Sequence, residues 1–194
     1  MKSAILFGLL ASLTIGLSGC GDFGGFGNPD QRNTLIDDAN LDNAEAAPVT
    51  PVLGIPTTGT VTYDGVITAN TTGAHVGSLY ADLSMGVNFT SHAITGAITN
   101  VDLVNDTTGN VVQDLGGTLT LTGTQTLGGV VATATGNLTG TGPVTGVGTA
   151  AFVLAGTVRS DVTVADTVYG SMAGGVGGGF TLNLSQGEFF GTTN

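Results

Sequence analysis

Few side chains in this sequence could do chemistry near neutral pH: the lone thiol, Cys20, and two imidazoles, His75 and His92. They stand far apart, in no spacing that builds a nucleophile or a metal site. No H-E-x-x-H, C-x-x-C or G-x-S-x-G occurs. Structural zinc takes four close ligands and catalytic zinc three, more than two separated histidines supply. Asp102 and Asp106, with Asn105 and Asn110, flank a turn and carry the hard oxygens that calcium takes, but the EF-hand spacing is absent. Tyr63, Tyr80, Tyr169 and the two histidines are residue types that ligate haem iron, again without a local motif. The run Gly174–Gly179 does not fit G-x-G-x-x-G and has no strand–helix context. We therefore expect His75 in a hairpin, His92 at a strand start, no resident metal or cofactor, and no enzymatic activity.

The thiol has a telling context. Lys2 is the only charge before Cys20, and residues 4–17 are apolar or small. That is a charged n-region and an h-region of signal-peptide length, shorter than the roughly 20 residues that span a bilayer. The next positions, Leu17-Ser18-Gly19-Cys20, resemble the bacterial lipobox. The resemblance implies that a signal peptidase recognises Leu17, Ser18 and Gly19 and removes residues 1–19. Cys20 then becomes the mature N-terminus, its sulfur in a thioether to diacylglycerol and acyl chains of the palmitate kind attached. The alternative is an ordinary signal peptide with a chance cysteine. With a single cysteine in the chain, no internal disulfide is possible. In enteric lipoproteins an Asp directly after the cysteine tends to retain the protein at the inner membrane. Gly21 holds that position here, which implies the bacterial outer membrane, at the cell surface or on the periplasmic face.

Charge narrows the partners. The formal net charge is -11, and cleavage would remove Lys2, leaving Arg32 and Arg159 as the strong cations. Anionic headgroups repel such a chain, so the membrane partner must be reached through lipid and not through a basic patch. Nucleic acid is excluded for the same reason, since phosphate contacts need Lys and Arg.

Residues 20–57 read as an acylated, acidic, proline-containing tether. Pro48, Pro51 and Pro56 break any regular element through its last part, and a short helix over 34–46 is allowed, capped by Asn33. As a flexible coil, about 37 residues would reach roughly 30–35 Å.

Residues 58–191 read as one β-domain. Thr, Val, Gly, Leu and Ala dominate, and apolar residues alternate at period two. "GTVTYDGVI" sets Val61, Tyr63 and Ile67 on one face; "SLYADLSMGV" does the same with Leu79, Ala81, Leu83, Met85 and Val87. Ile94, Gly96 and Ile98 follow, then Leu119 and Leu121; "GVVATATGNLTG" is ambiguous in phase. Phe152, Leu154 and Val158 face inward, then a glycine-interrupted "TVYGSMAGG", then Phe180, Leu182 and Leu184. About eight strands result, separated by short turn signals such as Asn105–Asn110 and Thr141-Gly142-Pro143. Short connections dictate antiparallel neighbours. A meander with one greasy face and no helix to cover it curls into a barrel, which also removes its edges. Gly96, Gly136, Gly156 and Gly170 are expected at bends in that wall, and Gly174–Gly179 is expected as a flexible hairpin between the last two strands.

Lipobox, tether and glycine-rich barrel together resemble the bacterial surface lipoproteins that carry the β-barrel of transferrin-binding protein B. The resemblance covers residues 58–191 and rests on "GTVTYDGVIT", "LYADLSMGVNFTSHAITGAI", "GNLTG" and the closing "VYGSMAGGVGGGFTLNL". In that family a closing strand pair carries a "G-x-x-Y/F-G…G-G-x-F" pattern, echoed by Tyr169-Gly170 and Gly178-Gly179-Phe180. The likeness implies solute or protein binding at the cell surface, with a protein, or an iron or haem source, held by loops at one barrel end. The chain departs from the larger members in having one barrel, no handle domain and short loops, so no ligand-binding residue is carried over. The alternatives are a structural or adhesive surface lipoprotein without a discrete ligand, and an integral outer-membrane barrel. Only 6% of residues are aromatic and no aromatic girdles appear, against the last of these.

Overall fold

The computed structural model describes residues 55–161 and 164–193. The expected signal peptide over 1–19, the Leu17–Cys20 motif and most of the 20–57 tether lie outside the described residues.

The period-two pattern becomes nine strand segments. They are β1 (Thr60–Gly73), β2 (Gly77–Asn88), β3 (Ala93–Val104), β4 (Val111–Leu115) and β5 (Leu119–Thr126), followed by β6 (Gly129–Thr141), β7 (Thr145–Asp161), β8 (Val164–Gly178) and β9 (Leu182–Thr193). Every pairing is antiparallel, and β9 returns to β1 to close the sheet. β4 and β5 share one position in the wall. β3 pairs with β4 through Val101–Val104 and with β5 through Ala93–Ile98. The nine segments therefore make the expected eight-stranded, antiparallel, up-and-down barrel, its fourth strand interrupted. The isolated bridge Gly116↔Thr139 spans the interruption. β4 does not stand out in the sequence pattern, because the turn signals around Asn105–Asn110 run straight into it.

The lumen is filled with apolar side chains. Tyr63, Phe152, Phe189, Ile67, Leu79, Met85, Ile94, Ile98 and Leu103 are among the largest fully buried ones. Leu119, Leu121, Leu154, Leu182 and Met172 join the same cluster. The ambiguous β6 resolves with Val130, Ala132, Ala134 and Leu138 inward and Val131, Thr133 and Thr135 outward. Eight strands give a barrel just narrow enough for side chains to fill. Burial of this apolar set, at about 25 cal/mol per Å², is the main force holding the wall closed.

Two β-bulges reverse the alternation. In β3 the inward set passes from Ile94 and Ile98 to Val101 and Leu103, with Asn100 at φ 50° between them. In β9 it passes from Leu182 to Phe189, with Gln186 at φ 51°. Each adds one residue opposite its partner strand, at Tyr80/Asp82 and Thr68/Asn70. Side-chain bonds staple both bulges: Asn100 Nδ2 donates to Asp82 Oδ2 at 2.6 Å, and Asn70 Nδ2 donates to Gln186 Oε1 at 2.6 Å.

The glycine run behaves differently from the expectation. Gly174–Gly178 belong to β8, and the turn is Gly179-Phe180-Thr181. The reason is steric. β8 passes so close to β7 that a β-carbon at Gly174 would stand 2.9 Å from the Phe152 Cα. Glycine here permits close strand approach as well as positive φ.

The barrel has two distinct ends. The chain enters at one, where Ile55 packs against Gly128 in the β5–β6 turn, and β9 finishes there too. The opposite end carries the β1–β2, β3–β4, β6–β7 and β8–β9 connections. The first is the entry end and the second the far end.

Candidate functional site

The residues singled out from the sequence do not converge. His75 lies in the β1–β2 turn at the far end, its Nε2 donating to the Val104 carbonyl oxygen at 2.9 Å. His92 sits at φ 60° just before β3 at the entry end, with Nδ1 3.1 Å from Gln125 Oε1. The whole barrel length separates them. Tyr63 is buried in the lumen, whereas Tyr80 and Tyr169 are on the outside, on β2 and β8, with β1 and β9 between them. Tyr169 donates its hydroxyl to Glu188 Oε1 at 2.9 Å. Asn105 Oδ1 is occupied in capping its own turn, accepting from Thr107 N at 2.9 Å and Thr108 N at 3.1 Å. Asp102 faces outward from β3 opposite Asp114, away from Asp106 in the turn. Among the described residues no group of three or more His, Cys, Asp or Glu is placed to hold a metal ion. Cys20, Leu17, Ser18 and Gly19 lie outside the described residues.

Instead the structure builds surfaces. At the far end three valines stand in water: Val76, 75% exposed, in the β1–β2 turn, and Val111 and Val112 at the start of β4. Val111 and Val112 are both outside because a register shift at Leu103/Val104 leaves an extra residue between the pairs Val104↔Val111 and Leu103↔Gln113. Gln113 points inward, 7% exposed. It donates from Nε2 to the Val144 carbonyl at 2.8 Å and accepts from the Val144 N–H at 2.8 Å. That clamp fixes the β6–β7 turn beside the valines. The sequence signal for this end was the doublet Val111-Val112 after a turn, which alternation alone does not single out.

The wall is two-faced. One row of facing residues runs Asp102, Tyr80, Thr68, Glu188 from β3 to β9. A neighbouring row runs Asp82, Val66, Phe190, Tyr169. With Asp64 and Asp114, acidic and aromatic groups thus gather on β1–β4, β8 and β9. Val66 faces out with them and is still fully buried, so this side carries its own small apolar layer outside the barrel.

Diametrically opposite, centred on β6, the outward positions form a grid. Its rows are Thr120, Thr135, Ala151; then Thr122, Thr133, Val153; then Thr124, Val131, Ala155. No Asp, Glu, Lys, Arg or His occurs from Leu115 to Val158. Val131 is 56% and Val153 48% exposed, and the two are diagonal neighbours across β6 and β7.

Apolar inside and hydroxylated or acidic outside is the reverse of a lipid-facing barrel, whose outward band is apolar and whose lumen is polar. No helix among the described residues is long and apolar enough to cross a membrane.

No family model matches the chain, and neither a curated protein nor a solved structure matches it. The identity that the chain itself establishes is that of a closed, eight-stranded, antiparallel β-barrel with a filled lumen.

Proposed function

We propose that this protein is a lipid-anchored binding protein of the bacterial outer-membrane surface, similar to the transferrin-binding-protein-type barrels, which recognises a macromolecular ligand through its far end. The carrying observation is the exposed Val76, Val111 and Val112 at the end opposite chain entry, above a lumen packed with buried apolar side chains. A ligand must then be met by the surface. A rigid wall presenting loops is a common binding device, and exposed apolar groups on a fixed turn are suited to a protein surface. A chain held through acylated Cys20 would turn its entry end toward the lipid and its far end outward. The ligand class is a protein, or a protein carrying iron or haem.

Two measurements test this reading. Mass spectrometry of the mature chain should show an acylated N-terminal Cys20, and Cys20→Ser should release the protein from the outer-membrane fraction. Immobilised wild-type chain should capture a saturable protein partner, and Val76→Asp with Val111→Asp should cut that capture at least tenfold without changing the unfolding midpoint. An unacylated N-terminus defeats the anchor; capture indifferent to these valines defeats the far-end site. The second reading, a structural or adhesive coat, is favoured by the uncharged Thr/Ala/Val wall. It predicts no saturable partner at all.

A further inference from the structure

We infer that the uncharged wall centred on β6 is a self-association surface, on which a second copy of this chain docks side by side with the first. The inference does not depend on the ligand at the far end, but it rests on the lipid anchor of the proposed function for the local concentration that populates the contact, and the acylation of Cys20 is checked separately by mass spectrometry.

Three observations select the occupant. First, the chain carries a net charge of -11, so most approaches between two copies are repulsive. The wall over β5–β7 is the approach that brings no charge against charge, because Leu115–Val158 contains none. Second, β6 lies diametrically opposite β1 in the closed order, so face-to-face docking there puts the acidic walls of the two copies on the outermost sides. An acidic or a basic protein partner has no such reason to choose this wall. Third, the grid offers Val131 and Val153 as exposed apolar anchors ringed by threonine and alanine, small residues that let two walls approach closely. The same patch then serves both copies, as an isologous contact requires.

The size sets the strength. The three strands β5–β7 at about 4.8 Å spacing span about 10 Å, and eight residues along β6 span about 27 Å. That is roughly 270 Å² of wall per copy, far below the roughly 800 Å² per partner of a standard interface. The contact is therefore weak in dilute solution and is populated where chains share one surface, which raises their effective concentration. With the two-fold axis parallel to the barrels, both entry ends point the same way and both far ends stay free.

The test uses full-length chain in its own membranes. Thr133→Cys places a thiol at the centre of the grid, and Ser84→Cys places one on the opposite, acidic wall; both positions are exposed. A short bis-maleimide should convert Thr133→Cys to covalent dimer at least tenfold more efficiently than Ser84→Cys, over the background of unsubstituted chain. Adding Val153→Glu to Thr133→Cys should abolish the excess, while Val76→Asp with Val111→Asp should leave it intact. A mono-maleimide reports whether each thiol is reachable. Equal yields from the two walls would mean random collision and would overturn the inference. A reachable Thr133→Cys that gives no dimer overturns it as well. A thiol that stays unreachable after detergent dispersal to dilute chain, where the copies are apart, would mean that some other partner, such as a neutral glycan, covers the wall, and would also overturn it.

Discussion

The Gln113 side chain and the Val144 backbone exchange two hydrogen bonds of 2.8 Å each, and both residues are buried. They sit beside the interruption between β4 and β5, where the wall has lost ladder bonds. An amide side chain, one donor and one acceptor, replaces there what a continuous strand would have given. Gln113→Ala should therefore leave the Val144 N–H and C=O buried without partners and cost about 2–4 kcal/mol. Gln113→Glu should be no better, because it loses the donor and buries a charge. Equilibrium urea unfolding checks both.

The Phe189 ring is wedged against two glycines. A β-carbon at Gly156 or Gly170 would come within 2.7 Å of it. Gly170 also has the Gly156 Cα and the Ala155 carbonyl oxygen of β7 in the way. Phe189→Ala should cost about 3–5 kcal/mol through its cavity. Gly170→Val should cost about 1–3 kcal/mol or more through overpacking. The double variant should be no more stable than Gly170→Val, since backbone, not ring, fills the space; a rescue in the thermal midpoint would contradict this.

Neighbouring residues on β7 should respond oppositely. Phe152 is fully buried and Val153 stands outside. Phe152→Ala should cost about 3–5 kcal/mol, and Val153→Thr should change stability by less than about 0.5 kcal/mol. Comparable losses at both positions would show that the strand's two faces are not separated as described.

The β5–β6 hairpin closes on two residues, Leu127 at φ 51° and Gly128 at φ 84°, between the paired Thr126 and Gly129. Such a loop favours Asn-Gly, because its first position is left-handed. Leu127 is 73% exposed, so little burial offsets the strain. Leu127→Asn should raise stability by about 1 kcal/mol, read as a higher unfolding midpoint. A lower midpoint would mean that the leucine is held by contacts the backbone strain conceals.

How much of this was legible depends on how local the signal is. In β2, strict alternation from Leu79 to Val87 placed all five inward residues, because an unbroken strand sends every second side chain to the same face. Phe152 and Leu154 were equally clear. In β3 and β9 the alternation failed midway, at Asn100 and Gln186. A bulge is set by pairing with the neighbouring strand and leaves no trace in its own period. The short β4 was hidden for a related reason, since five residues hold too few alternations to outweigh the turn residues before them.

The sequence by itself determined that the described part of the chain is all β, antiparallel and closed, with its greasy residues inside. Those are consequences of side-chain period, short turns and the want of any helix to cover an apolar face. Only the tertiary structure decided that the far end carries Val76, Val111 and Val112, and that the acidic and uncharged walls stand opposite one another. Both depend on which strands neighbour which, and on register, which long-range pairing fixes and local sequence does not encode.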